Sequence, residues 1–325
     1  MALAGQKRPA PLALSLPAAA AAGKKRPALP GLSVPARAAA AATIEAEPFL
    51  HLRTASASGE FRVADFERVA VLGRGNGGTV YKAEALGRAA SPFVVRCHAV
   101  MPAASGDVAL LLELAGGGSL DSVRARRGAF PEAALAEVAA QALSGLAHIH
   151  ARRVAHLDIK PANLLVSAAG EVKIADFGIA EILPRAGAGC SAGEGTAAYM
   201  SPERFDPEAH GGHYDPCAAD VWSLGVTLLE LFLGRYPLLP AGQRPDWAAL
   251  MCAICFGEPP ALSETAASPE LRGFVSACLQ KDCSKRASVA ELLAHPFVAG
   301  RDVAASACAL QKMVAVAETP LPSSE

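Results

Sequence analysis

HLDIKPANLL (156–165), followed after eight residues by IADFG (174–178), is the stretch on which the reading of this chain turns. It sets Asp158 five positions before Asn163, with Lys160 between them, and adds Asp176 at the end of a strand-like run. A carboxylate that can orient a hydroxyl, an Asn and an Asp that can hold Mg²⁺, and a Lys beside them form a set suited to phosphoryl transfer. Each fragment alone is unremarkable, so the order of the fragments decides. Upstream lies LGRGNGGTVY (72–81), with Gly73, Gly75 and Gly78 between two apolar runs. Glycines there let backbone N–H groups approach a triphosphate closely. For this loop alone a plain Gly-rich hairpin is the alternative. A strand-like run follows it where a Rossmann turn would lead into a helix, which argues against a dinucleotide fold.

Around these motifs the texture is globular from Asp65 to about Ala299. Short β-like runs come first, in FERVAVLG, FVVRCHAV and VALLLEL, and helical patterns dominate from Phe130 onward, with VKIADFG as a late strand. The expectation is an α+β architecture, a small β-rich lobe followed by a larger helical one. Hydrophobic residues make up 52% and charged ones 19%, which excludes wholesale disorder. A net charge of -1 gives no reason to expect nucleic-acid or membrane partners. No apolar run reaches about 18 residues, so no transmembrane helix is expected. The eight cysteines are scattered, and Cys252 and Cys255, though spaced for a metal or redox pair, sit in an apolar run without a second Cys/His pair. A core helix with reduced, intracellular thiols is the expectation.

Residues 1–44 hold no acidic residue and are dominated by Ala and Pro, a composition that cannot bury a core. An organelle transit peptide shares that composition and is the alternative to a disordered tail. KRPAPLALSL (7–16) and KKRPALPGLSV (24–34) each place a basic cluster before spaced aliphatics. Such a peptide suits an acidic patch beside an apolar groove, with low-complexity drift as the alternative. A cytoplasmic location is expected, with the KKR cluster leaving nuclear import open.

With GTAAYMSPERFD (195–206) and DVWSLGVTLLELFLGRYP (220–237) added, the sequence resembles the eukaryotic protein kinases over about residues 65–299. LGRGNGGTVYK, SPFVVRCHAV, GSLDSV and AYMSPERFD read like the MAP kinase kinases, the plant ones in particular. The resemblance implies a tail (1–64), a bilobal kinase domain with a small lobe (65–115) and a large lobe (116–299), and a C-terminal tail (300–325). It implies ATP and Mg²⁺ as cofactors, Thr and Tyr of a MAP kinase as acceptors, a MAP kinase kinase kinase upstream, and a monomer. Gly73, Gly75, Gly78 and Val80 would cover the nucleotide, and Leu112 would back the adenine pocket, with Glu113 to Ala115 as hinge. Asp158 would be the catalytic base, Lys160 a phosphate contact, and Asn163 and Asp176 the Mg²⁺ ligands. Glu203 and Arg286 match a buried ion pair, and Asp220 matches a residue bracing the catalytic loop. The two tail peptides match the docking motifs by which this family engages its MAP kinase.

One departure is large. Only twelve residues separate Val80 from Phe93, where the family has the end of a strand, a strand carrying Lys, and a helix carrying its Glu partner. About thirty residues are absent, more than any rearrangement of twelve can hide. A skipped exon or incomplete gene model is the favoured explanation, and an unpaired sheet edge on both neighbours is the expected damage. Arg96 in FVVRC and Lys82 are the local candidates to replace the missing Lys, but Arg96 fits the following strand better and Lys82 reads as solvent-facing. Two smaller departures agree with each other. Leu157 stands where a phosphate-reading Arg precedes the catalytic Asp, and Ala186 and Ala192 stand where plant members carry phosphorylated hydroxyls. The chain is therefore not expected to be switched in the usual way, and little or no kinase activity is expected. A pseudokinase or decoy that docks MAP kinases through residues 7–34 is the alternative function.

Overall fold

The computed structural model describes residues 91–102, 108–183, 195–210, 214–240, 242, 243 and 245–315, together with three short strands, β1 (Ala2–Gln6), β2 (His51–Leu52) and β3 (Phe66–Glu67). The glycine loop with Gly73, Gly75, Gly78 and Val80, the two tail motifs, Lys82, and positions 186 and 192 lie outside the described residues.

Strands precede helices, and the expected α+β class is what forms. β4 (Cys97–Pro102) and β5 (Val108–Leu112) pair antiparallel, and β1 joins the other edge of β5, giving the order β1-β5-β4. The register runs from Ala2 opposite Leu112 to Gln6 opposite Val108. One edge expected to lie bare is thus covered by the first residues of the chain, and β2 and β3 pair with each other. A bare five-residue edge is a template for pairing with another chain. Deleting residues 2–6 should therefore increase concentration-dependent self-association, measured by sedimentation velocity. An unchanged sedimentation profile would show that β1 covers nothing of consequence.

Beyond the sheet, β6 (Gly118–Ser119) leads into α1 (Leu120–Arg127), whose N-cap Ser119 accepts from Ser122 N–H. α2 (Glu132–His150) is rich in Ala and Leu, which lets strands and helices approach it on most sides, and its buried residues run from Ala134 to Ile149. At Gly145 an added Cβ would stand 2.9 Å from the Phe93 carbonyl and 2.8 Å from Ile174 Cδ1, so a larger residue would push the incoming strand away. Then come β7 (Val154–Ala155), β8 (Leu164–Val166), β9 (Val172–Ile174) and β10 (Glu181–Ile182). β6-β8-β9 form one sheet and β10-β7 another. A bridge from Val94 to Ile174 ties the strand region to β9.

The remaining helices are α3 (Pro202–Phe205), α4 (Pro216–Leu233), α5 (Trp247–Met251), α6 (Pro269–Cys278), α7 (Val289–Ala294), α8 (Pro296–Ala299) and α9 (Val303–Val314). Asp215 caps α4 by accepting from Cys217 N–H, Pro216 fits its first turn, and Gly234 ends it at φ 69°. At 18 residues α4 is, by length and composition, apolar enough to cross a membrane, contrary to the sequence expectation, but 83% of it is buried inside the protein. It is the central core helix, mostly apolar because it is mostly enclosed, with Asp220, Ser223, Thr227 and Glu230 as its buried polar exceptions. The core-helix expectation for the run holding Cys252 and Cys255 holds for its inner face, where Leu250 and Ile254 join the core and Cys255 packs on it, but not for Cys252. α5 passes into a π-helical turn (Cys252–Phe256), which buries Ile254 and leaves Cys252 exposed and Cys255 half-buried, both as free thiols.

Candidate active site

The segment between β7 and β9 carries the polar constellation, and α4 holds it from below. Asp220, fully buried on α4, accepts from the backbone N–H groups of His156 (2.8 Å) and Leu157 (2.7 Å) and pairs with His150 Nε2 at 2.8 Å. Burial opposes the Asp220 charge, but the His150 bond and the backbone donors hold its pKa below the usual carboxylate value. Burial likewise opposes the His150 cation, and its bonds to Asp220 and Cys217 outweigh that, pushing it up to about 10. His156 accepts at Nδ1 from Asp158 N–H (3.2 Å), which leaves Nε2 as the protonated nitrogen donating to the Ala175 carbonyl at 2.9 Å. One imidazole thus links the turn bearing Asp158 to the turn bearing Asp176, and Phe177 lies edge-on to it at 4.8 Å.

On this support Asp158 is surrounded by donors. Its Oδ2 accepts from Lys160 Nζ (2.6 Å) and Asn163 Nδ2 (3.0 Å), and its Oδ1 accepts from Thr196 N–H (3.0 Å). Lys160 Nζ also reaches Thr196 Oγ1 at 2.6 Å, so the ammonium bridges the carboxylate and the returning chain. Asn163 spends its amide hydrogens on the Asp158 carbonyl (2.8 Å) and carboxylate, which frees its Oδ1 as a ligand atom. Asp176 is exposed, and the Ala175 N–H beside it donates to the Asn163 carbonyl at 2.9 Å. Non-glycine residues with positive φ in the described chain are Arg153 (58°), Leu157 (65°) and Asp176 (61°), two of them at this site. Such strained backbone persists where surrounding bonds over-determine it, as the Asp220 bonds do for Leu157.

Leu112 ends β5, and Glu113 to Ala115 run out irregularly toward β6. The Glu113 carboxylate pairs with Lys173 of β9 and accepts from Arg96 N–H at 3.2 Å. Partial burial works against that charge, and the Lys173 and Arg96 contacts hold its pKa below the ordinary value. A cavity of about 370 Å³ opens here, lined by Arg96, His98, Glu113 and Lys173 among others. Arg96 is exposed beside this acidic–basic pair, consistent with its place before β4 rather than on a phosphate-anchoring strand.

Sequence reasoning missed a second anchor. The short 3₁₀ turn Ala197–Tyr199 follows Thr196, and Tyr199 Oη donates to Glu230 Oε2 on α4 at 2.5 Å. Ser223 Oγ donates to the Tyr199 carbonyl (2.7 Å) and Tyr236 Oη to the Ala198 carbonyl (2.6 Å). Burial raises the pKa of Tyr199, Tyr236 and Glu230 alike, so the loop is tied by uncharged phenols. Glu230 and Tyr236 lie inside DVWSLGVTLLELFLGRYP; a lone Glu in an apolar helix was the available signal.

Residues 83–298 match the model of the protein kinase domain. Mitogen-activated protein kinase kinase 9 of Arabidopsis thaliana is 46% identical over 276 residues, 75% of this chain and 88% of that protein. Mitogen-activated protein kinase kinase 7 of the same plant is 45% identical over 266 residues, 72% of this chain and 85% of that protein. Mitogen-activated protein kinase kinase 1c of Physcomitrium patens is 35% identical over 294 residues, 78% of this chain and 83% of that protein. The ordered carboxylates, the buried Asp220 brace and these similarities agree: the chain belongs to the protein kinase family, and its likeness within that family is to the plant MAP kinase kinases.

Proposed function

We propose that this chain is a MAP kinase kinase-type protein that binds a MAP kinase and directs the γ-phosphate of ATP to Thr and Tyr hydroxyls on it, at a rate far below that of a complete kinase. The observation that carries the reading is Asp158, held by Lys160, Asn163 and Thr196 with its carboxylate aimed by three donors. In the proposed reaction Asp158 receives the acceptor hydroxyl's proton, and Lys160 balances charge on the transferring phosphoryl group. Asn163 Oδ1 and the Asp176 carboxylate are hard oxygen donors of the kind Mg²⁺ takes. Bound there, the ion would neutralise phosphate charge.

The low rate follows from the twelve-residue interval between Val80 and Phe93, which has no room for the family's Lys–Glu pair. Loss of one preorganised electrostatic contact typically costs about 10²–10³ in rate. The same interval favours a second reading, a decoy that docks MAP kinases through residues 7–34 without turnover. Both are tested by incubating the chain with labelled ATP and a catalytically dead MAP kinase. The expected result is capture of the MAP kinase, lost on deleting residues 7–34, with labelling at least about 10²-fold slower than by a complete plant MAP kinase kinase. Asp158→Asn should remove the residual labelling. Labelling at the full rate would overturn the impaired reading, no labelling with retained capture would favour the decoy, and absence of both would sink the proposal.

A further inference from the structure

The cavity of about 370 Å³ beside Glu113 has two features for which the Asp158 chemistry has no use. It is rich in donors, since Arg96, His98 and Lys173 line it against one carboxylate, that of Glu113. Its wall also contains a serine followed by a proline, Ser91–Pro92. Glu113 answers only part of the positive charge. It pairs with Lys173, and its other oxygen accepts from the Arg96 backbone N–H rather than from the guanidinium. Among the described residues the Arg96 guanidinium and the His98 ring make no hydrogen bond, and both side chains are exposed. A β-bulge between Cys97 and Ala99 leaves His98 without a partner on β5, and bulges of this kind re-aim a side chain. The space is roughly ten times a water's share of the liquid, enough for a phosphoryl group with water around it.

Ser91 presents its hydroxyl to this cavity. Its Oγ accepts from Phe93 N–H at 3.2 Å, the residue is half-buried, and Pro92 after it is exposed. The other two Ser–Pro pairs of the chain have different surroundings. Ser201 is fully buried. Ser268 donates to Glu132 Oε2 at 2.5 Å and caps α6 by accepting from Leu271 N–H, so a phosphate there would face a carboxylate and undo a cap. Of the three, Ser91 is the one that combines partial exposure with unmatched cations.

We propose that Ser91 is a phosphorylation site for a proline-directed protein kinase, and that Arg96, His98 and Lys173 form the pocket that receives its phosphate. In the modification the γ-phosphoryl group of ATP passes to Ser91 Oγ. The new O–P bond forms as the bond to the β-phosphate oxygen breaks, ADP leaves, and the hydroxyl proton goes to the modifying kinase. The product carries close to two negative charges and three acceptor oxygens, which suit the planar fork of Arg96 and the ammonium of Lys173. Glu113 is the opposing charge, so the phosphate draws both cations from it and loosens the tie at the start of the hinge. None of these side chains touches Asp158, and the proposal stands whether or not this chain transfers phosphate itself.

Two experiments on the full chain test it. In the first, phosphoserine is installed at position 91 by genetic-code expansion and titrated by phosphorus NMR. Its second ionisation should lie about half a unit or more below the ordinary value of about 6, roughly a threefold or larger rise in the ionisation constant. Arg96→Gln, a change at an exposed side chain, should return most of that shift, and Glu113→Gln should deepen it by removing the opposing carboxylate. A titration no different from that of the urea-unfolded chain would overturn the pocket, as would an undiminished shift in Arg96→Gln. In the second, the unmodified chain is incubated with ATP and either a cyclin-dependent kinase or an activated MAP kinase, both proline-directed, with ATP alone as background. Peptide mass spectrometry should place phosphate on Ser91 and none on Ser201 or Ser268. Absence of phosphate from Ser91 with both enzymes would overturn the modification site.

Discussion

Arg286→Ala should destabilise the protein by about 3–5 kcal/mol, the usual cost of stranding one partner of a buried ion pair. Both side chains of the Arg286–Glu203 pair are fully buried, and the fork is bidentate at 2.6 and 3.0 Å. The guanidinium does more than neutralise Glu203. Its Nε and NH2 donate to the Gln280 carbonyl at 3.0 and 2.9 Å, and NH1 donates to the Ala218 carbonyl at 2.9 Å. The cation also lies over the Trp222 ring at 5.2 Å. All five donors are thus in use, spanning α3, the start of α4 and the turn after α6. Arg286→Lys should also lose much of the stability, because an ammonium has three donors and no planar fork. Glu203→Leu combined with Arg286→Met should fall between wild type and Arg286→Ala. The double change removes the stranded charge but leaves the two carbonyls without their donor. Urea unfolding followed by circular dichroism measures all three, and an Arg286→Ala loss within about 1 kcal/mol would refute the account.

That ion pair was readable in the sequence, as was the Asp220 brace, because Glu203 and Asp220 sit inside distinctive motifs and the resemblance assigns Arg286 as the partner of Glu203. The catalytic segment was readable for the same reason: HLDIKPANLL names Asp158, Lys160 and Asn163 within one turn of chain. What escaped were contacts between stretches that carry no motif. β1 pairs with β5 across about a hundred residues, and nothing in ALAGQ specifies a partner, since a short strand's register is set by the edge that receives it. The Lys173–Glu113 tie joins a strand to the hinge through two ordinary surface-type residues. Cys252 escaped for a different reason. Two residues past the buried Leu250 and two before the buried Ile254, it falls on the outer face of its helix, while the apolar residues around it suggested burial on every side. α4 escaped the membrane-length criterion because Asp220 and Glu230 interrupt its apolar run in sequence, while the fold buries both.

A second large effect should appear as pH rises. His150 sits at the end of α2 with its pKa pushed up to about 10, against about 6.5 in an unfolded chain. Above pH 6.5 the unfolded chain releases a proton that the folded protein still holds. Stability from this group is therefore fully present below about pH 6.5 and is lost as pH climbs through about 10. The loss attributable to His150 should be on the order of 3–5 kcal/mol. Lysines, tyrosines and thiols titrate in the same range, so the measurement is a difference: urea unfolding of wild type and His150→Gln at pH 6, 8 and 10. Gln can still donate to Asp220 Oδ2 but carries no charge, so the gap between the two proteins should be widest at pH 6 and close toward pH 10. Parallel curves would mean that His150 is not held charged. The consequence reaches the site because Asp220 is shared. The same carboxylate that keeps the His150 proton accepts from His156 and Leu157 N–H, the two residues before Asp158. Losing the imidazolium leaves a buried carboxylate with hydrogen-bond donors but no counter-charge. Hydrogen exchange at 156–158 should then rise in His150→Gln at pH 6 as it does in wild type at pH 10, after correction for the intrinsic pH dependence of exchange.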